Sequence, residues 1–419
     1  MIKKFCVLFL VHVILLSGIY GNETKNQPLS LEQCINTAIK NNPLVLSSYQ
    51  QYTASLARIN QARAIPQPSI DWDSDLQPSF FDVKNTGEWY FGISKSVEFP
   101  GKRSLRGQIA AKESDQIYEE IELLKLDITF QVKEAFYALL LAQKKYQYIK
   151  QNLELSKDFY EKTKLKFDAG DVARVEVLRA SVEASKAASE LTRTSNEVRL
   201  AKARLNYLMA RKKYAPLEIK GEFIKEPLSI DLETLKKRAL SFRPEIKSIE
   251  HAIEGQNLQK KQAFMSYLPD FDLGVNRHKV KGEGEWWDVT LSFPIPLFFW
   301  QPAKGEIAEA QANVNSLNSE FEHLKNTISL EVEESYMNAE FASSQIKLFE
   351  EEILTQAEEA YNMFLFSYQE GEIGGIELIE ARRTLIQAMT SYANALYNYE
   401  VALASLEKSI GQRLKGENQ

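Results

Sequence analysis

The sequence predicts a mainly α-helical protein with a transmembrane β-barrel segment, built from a duplicated helix–β-hairpin–long helix–helix unit. Three observations lead there. The chain repeats itself at a fixed period. Each repeat contains a helix too long for a compact globule. Between the helices lie four short alternating segments, with all five tryptophans in or beside them.

The repeat comes first because it organises everything else. Asn42-Pro43 returns as Arg243-Pro244, and Pro68-Ser69-Ile70-Asp71 as Pro269-Asp270-Phe271-Asp272. Gly170-Asp171-Val172 returns as Gly371-Glu372-Ile373, and Val175-Glu176-Val177-Leu178 as Ile376-Glu377-Leu378-Ile379, each pair 201 positions apart. Gly87-Glu88-Trp89 and Gly284-Glu285-Trp286 match at a shorter offset, so one loop differs in length. The expected layout is a first repeat over 22–212, a linker over 213–230, a second repeat over 231–411 and a tail over 412–419.

At the N-terminus, Lys3-Lys4 precedes an apolar run, Phe5–Leu16, and a small-residue region ending near Gly21. About 12 apolar residues fall short of the ~20 a spanning helix needs, so 1–21 reads as a secretory signal peptide. Its removal leaves Cys34 as the only thiol and excludes an intramolecular disulfide. No later stretch is long and apolar enough for a helical span. Entry into a membrane must therefore use strands.

The first helix opens with Ser30 and Gln33 at capping-box spacing and is expected to run to about Arg63. A long helix is expected over 102–167 and its counterpart over 302–368. Ile121, Leu124, Ile128, Val132, Ala135, Leu139, Ala142, Tyr146 and Ile149 form a three–four seam, and Phe321 to Phe349 repeat it. An extra step of four, Leu124 to Ile128 to Val132, is a stutter that recurs in the second copy. About 66 residues at 1.5 Å each give a rod of roughly 100 Å, which must pack sideways against similar helices. The closing helices are expected over 172–209 and 374–410.

The strands are expected over 69–78, 88–99, 270–280 and 286–297. Trp72, Trp89, Phe91, Ile93, Trp287, Val289 and Leu291 fall on apolar faces, with Asp71, Asp73, Ser94, Asp272, Asp288 and Thr290 between them. Period two with one greasy face, about ten residues and flanking tryptophans fit a membrane barrel facing lipid. Lys95 and Arg277 interrupt the apolar face. Either they snorkel near a rim or the register differs there. Four strands have two open edges and cannot close alone, so several copies are required; three would give a 12-stranded barrel. The competing reading is a secreted coiled-coil scaffold or adaptor without a pore, its hairpins packed on helices in solution.

The ordered set of motifs resembles the TolC family of outer-membrane channel proteins over Leu31 to about Gly411. Phe99-Pro100-Gly101-Lys102 and Pro294-Ile295-Pro296-Leu297-Phe298 are most similar to its heavy-metal efflux branch. The resemblance implies a homotrimer with a 12-stranded barrel in outer-membrane lipid and an α-helical periplasmic tunnel. It implies a passive duct for heavy-metal cations or drugs, served by a periplasmic adaptor (membrane fusion) protein and an inner-membrane efflux pump. The family's constricting acids map to Glu377 and Glu380, with Glu176 the first-copy equivalent and Tyr368 a gate aromatic. The family's aspartates are glutamates here, and Ile373 stands where the family can place a latch arginine, which leaves Arg174 or Arg382 for that role. Gly170, Val172, Gly371 and Ile373 are the expected adaptor-contact tips. Without the family, Glu377 and Glu380 still sit one turn apart on one helix face, and threefold symmetry would make each a ring favouring cations.

Chemistry is otherwise sparse. No P-loop, dinucleotide fingerprint or His-Glu-x-x-His occurs, and His251, His278 and His323 show no metal-ligand spacing. No enzyme activity, cofactor or resident metal is expected. A net charge of −6 without basic blocks gives no support to nucleic-acid binding.

Overall fold

The computed structural model describes residues 28–75, 77–80, 82–212, 215–223, 228–295, 297–298 and 300–414, with backbone only for 300–302. The signal segment, parts of the linker and the end of the tail lie outside these residues. In the first copy the order is α1 (Leu31–Asn41), α2 (Pro43–Ala62), β1 (Ser69–Asp75), β2 (Glu88–Val97), α3 (Lys102–Asp168) and α4 (Arg174–Leu208). The second follows as α5 (Leu232–Phe242), α6 (Pro244–Met265), β3 (Phe271–Val280), β4 (Glu285–Ser292), α7 (Trp300–Leu348), a π-helical turn (Phe349–Ile353), α8 (Leu354–Gln369) and α9 (Gly375–Ile410). No described helix is long and apolar enough to cross a membrane.

The capping box forms as spaced: Ser30 Oγ accepts from Gln33 N–H and Gln33 Oε1 accepts from Ser30 N–H at 2.9 Å. The first helix does not run unbroken to Arg63. It stops at Asn42 because proline at 43 disfavours a helical residue before it. Asn42 Oδ1 then accepts from Leu44 N–H at 2.8 Å and caps α2. The second copy breaks in the same place with other chemistry. Arg243 is buried, reaches Glu245 and Glu331 (2.9 and 2.8 Å), and donates to the Ser409 carbonyl.

α3 is one continuous helix flanked by α1 and α2 along one stretch and α4 along the rest, and it also touches α6 and α9 of the second copy. The seam residues Ile121, Ile128, Val132, Ala135, Leu139, Ala142 and Ile149 are buried. The core is thickest midway, where Cys34, Ile35, Phe136, Leu139, Leu205 and Met209 cluster. There Leu29 pairs in parallel with Ile219 of the inter-repeat segment, and Lys133 meets Glu407 across the copies.

The second long helix is not uninterrupted over 302–368. Ile128 and Ile328 are 200 positions apart, whereas Gly170 and Gly371 are 201 apart, so the second rod carries one extra residue below the seam. The π-helical turn at Phe349–Ile353 absorbs it. Beyond the turn, Ser156 and Ala357 are both buried and both 201 apart, so the packing face is restored.

The strands form one antiparallel sheet in the order β1-β2-β3-β4, leaving β1 and β4 as edges. β1 is described to Asp75 rather than 78, and β2 and β4 end at Val97 and Ser292, before the prolines that lead into the long helices. Trp72, Phe91, Ile93, Trp287, Val289 and Leu291 are each at least half exposed on a single face. Among the described residues no helix covers them, so the hairpins do not spend this face on helix packing. The register puts Lys95 and Arg277 on that face too: Lys95 opposes Leu273, and Arg277 lies between Phe91 and Trp287. Arg277 reaches Glu285, one row nearer the loop end, as a snorkelling side chain does. The sheet is tied to the rods by Asp270, which accepts from Phe99 N–H and Lys102 Nζ at 2.7 and 2.9 Å, and by the Arg106–Glu98 pair.

Candidate functional site

The far ends of the rods bring both copies together. α3 and α8 each finish in a Schellman turn. Gly170 and Gly371 take φ of 90° and 81°, the left-handed region where glycine has no steric penalty. Asp171 N–H bonds to Lys166 O and Glu372 N–H to Ser367 O, both at 2.9 Å, which satisfies carbonyls that the helix ends would orphan. Val172 and Ile373 follow, half-exposed.

Behind these turns, Phe159 and Ala180 of the first copy pack with Leu378 and Ile379 of the second. Tyr368 joins them, its ring 5.5 Å from that of Phe159 and capped by Lys166 Nζ at 4.8 Å. A Cβ at Gly375 would stand 2.8 Å from the Phe159 ring, so the N-terminus of α9 can approach α3 only because that position is glycine. Sequence pattern alone did not single out Phe159 as the hub, although it continues the α3 seam.

Glu377 lies in the first turn of α9 and Glu380 one turn on, both exposed, with buried Leu378 and Ile379 between. Acidic groups suit a helix N-terminus, where the backbone dipole is positive. Glu176 holds the equivalent place on α4 and accepts from Arg179 at 2.9 Å. Glu380 accepts from Arg383 at 2.8 Å, and Arg383 also reaches Glu183 of α4 at 3.2 Å. Burial pushes the Glu183 carboxyl up, but Lys186 and Arg383 outweigh it and hold the group below its ordinary value. This α4–α9 bridge was not anticipated; its only signal is opposite charges 200 positions apart. An apolar groove runs beside it, floored by Val175, Leu178, Val182, Ile376 and Ile379.

The two latch candidates part ways. Arg174 is exposed at the start of α4. Arg382 is buried within the chain, its guanidinium 6.0 Å from the Phe159 ring centre and pushed by burial below the usual arginine range. Its guanidinium therefore packs inside the tip of the chain, whereas Arg174 stands at the surface.

Comparison with known proteins agrees with this architecture. A family model described as outer membrane efflux protein matches residues 34–211 and again 235–412. The cobalt-zinc-cadmium resistance protein CzcC of Cupriavidus metallidurans is 23% identical over 92% of this chain and 90% of its own length. The outer membrane protein TolC of Escherichia coli is 21% identical over 96% and 86%. Among solved structures, CusC superposes with a TM-score of 0.77 at 17% identity over 95% of both chains. The open-state MtrE channel of Neisseria gonorrhoeae gives 0.75 at 17% over 92% and 89%. The chain therefore belongs to the outer membrane efflux protein family, and is an outer-membrane protein whose helical body lies in the periplasm.

Proposed function

We propose that three copies of this chain close a 12-stranded barrel and a helical tunnel, forming a passive exit duct for a tripartite efflux system. One observation carries the reading. The sheet offers an uncovered apolar face, a polar face and two unpaired edges, β1 and β4. Lipid satisfies the first, water the second, and pairing of β1 with β4 of a neighbouring copy the third. Trp72, Trp89, Phe91, Ile93, Trp287, Val289 and Leu291 then face lipid, with tryptophan near the interfaces. The duct uses no energy of its own; an inner-membrane pump delivers substrate through a periplasmic adaptor that docks near Gly170, Val172, Gly371 and Ile373. Opening is a sideways shift of the tip helices. Similarity to CzcC supports heavy-metal cations as substrate over drugs.

At the closed tip, Glu377 and Glu380 form acidic rings, with Glu176 and Tyr368 bordering them. The test is the reversal potential of purified trimers in planar bilayers under a salt gradient. Glu377→Gln with Glu380→Gln should lower cation preference severalfold. An unchanged potential would remove the acids from the gate.

A further inference from the structure

The polar face of the sheet is not uniform. Towards the helices one row is small throughout: Ser69 opposes Ser94, Ser94 opposes Gly274, and Gly274 opposes Thr290, with Ser96, Asp272 and Ser292 in the row beyond it. In the row on its other side a Cβ on Gly92 would overlap Asn276 Oδ1 at 1.8 Å, so the amide lies flat over the glycine. Towards the loops the row changes character. Asp73 opposes Tyr90, Tyr90 opposes His278, and His278 opposes Trp286. Trp72, Trp89 and Trp287 lie on the other face of the sheet; Trp286 alone among the strand tryptophans faces the polar side.

This bulky row is held in place. The Tyr90 and His278 rings stack at 4.3 Å and 16°. Glu88 Oε1 accepts from Tyr90 Oη at 2.6 Å and sits 2.5 Å from His278 Nε2. Asp288 Oδ2 lies 3.6 Å from the other ring nitrogen. Stacking on Tyr90, a hydrogen bond to Glu88 at one ring nitrogen and the Asp288 carboxylate near the other leave the imidazole little freedom to swing aside.

We propose that the Tyr90–His278–Trp286 row is a second constriction of the duct, near its outer mouth, that favours cations and limits size. The proposal rests on the barrel reading, in which the polar face lines the lumen. Twelve strands about 4.8 Å apart and tilted about 40° give a backbone radius of about 12 Å. Three rings from each of three copies take up much of that radius, whereas the Ser69–Ser94–Gly274–Thr290 row leaves it open. The exposed Trp286 ring attracts cations through its face, and Asp73, Glu88 and Asp288 add negative charge along the row. Substrate leaving the tip would meet a wide vestibule and then this ring.

A thiol placed inside the ring tests it. Thr290→Cys puts the reporter in the small row. Native Cys34 is fully buried, and burial pushes its thiol up to about 11, so it stays silent. Trimers in lipid nanodiscs are treated with cationic and anionic methanethiosulfonates of equal size, and separately with small and polyethylene-glycol maleimides. The cationic reagent should react five- to tenfold faster than the anionic, and Glu88→Gln should bring the ratio to within about twofold. Trp286→Ala, at an exposed position, should raise the bulky maleimide rate at least fivefold. Ratios unchanged by both variants overturn the constriction. If Thr290→Cys resists every aqueous reagent while Val289→Cys reacts, the barrel reading itself fails.

Discussion

The two long rods do the same job with different backbones. α3 runs 67 residues without interruption, while its counterpart spends a π-helical turn at Phe349–Ile353. Both reach a glycine turn of the same geometry. The difference shows where a helical rod has tolerance: not in the seam, where Ile128 and Ile328 are each fully buried or nearly so, but between seam contacts. One inserted residue would rotate every later side chain by about 100°. Confining it to a single wide turn keeps Ala357 on the packing face.

That contrast can be broken directly. Deleting Glu351 should convert the second rod to a continuous helix aligned with the first, at a cost below about 1 kcal/mol. Deleting the exposed Lys150 from α3 should rotate Ser156, Phe159 and Thr163 out of their contacts. Uncovering Phe159 alone then costs about 3–5 kcal/mol. Thermal unfolding of the detergent-solubilised proteins reads both. Equal effects of the two deletions would show that the turn is not a register device.

The helix breaks give the next largest difference. Arg243→Met leaves Glu245 and Glu331 without their cation and should destabilise by about 2 kcal/mol, since both carboxylates keep some access to water. Asn42→Ala removes one cap bond and should cost about 1 kcal/mol. Denaturant midpoints of the two variants should differ accordingly.

The ends of α4 and α9 differ by a methyl group. Gly411 takes φ 76°, and a Cβ there would meet Phe242 backbone atoms at 3.0 Å. The matching residue, Ala210, holds φ 51° with its side chain in place. Gly411→Ala should cost about 1–2 kcal/mol, and Ala210→Gly should gain roughly 0.5 kcal/mol. The same unfolding assay should show shifts of opposite sign.

The smallest effect is electrostatic. Glu183 is held below its ordinary value in the folded tip, so its bridge is fully present above about pH 4.3 and is lost as pH falls through its own lower value. The stability difference between the native chain and Glu183→Gln should be at most about 1 kcal/mol at pH 7 and vanish in acid, once the carboxyl is protonated in the folded as well as the unfolded chain. A difference that persists in acid would point to packing instead.

How much of this was legible depends on the range of the signal. Ser30 with Gln33, the glycines at 170 and 371, and the alternation around Trp89 and Trp287 are patterns within a few residues, and the folded chain uses each of them. The break at Asn42 was also readable, since a proline follows, yet the apolar pattern continuing past it masked the stop. The π turn left only a change of offset from 200 to 201. Arg382 entered only as a candidate for the latch role. Its burial against Phe159 depends on a helix some 220 residues earlier, and no local pattern carries that.

The amino-acid order by itself determined the duplication, the seam periods, the turn glycines and the two-faced strands, because each follows from the 3.6- or 2-residue repeat of backbone geometry. Tertiary structure alone decided which side chains from the two copies share the tip. It also decided that Tyr90, His278 and Trp286 stand in one row, with Glu88 bonded to the first two. Such neighbours are fixed by strand register and helix packing across long stretches of chain, where free energy depends on the whole assembly of contacts and not on spacing along the sequence.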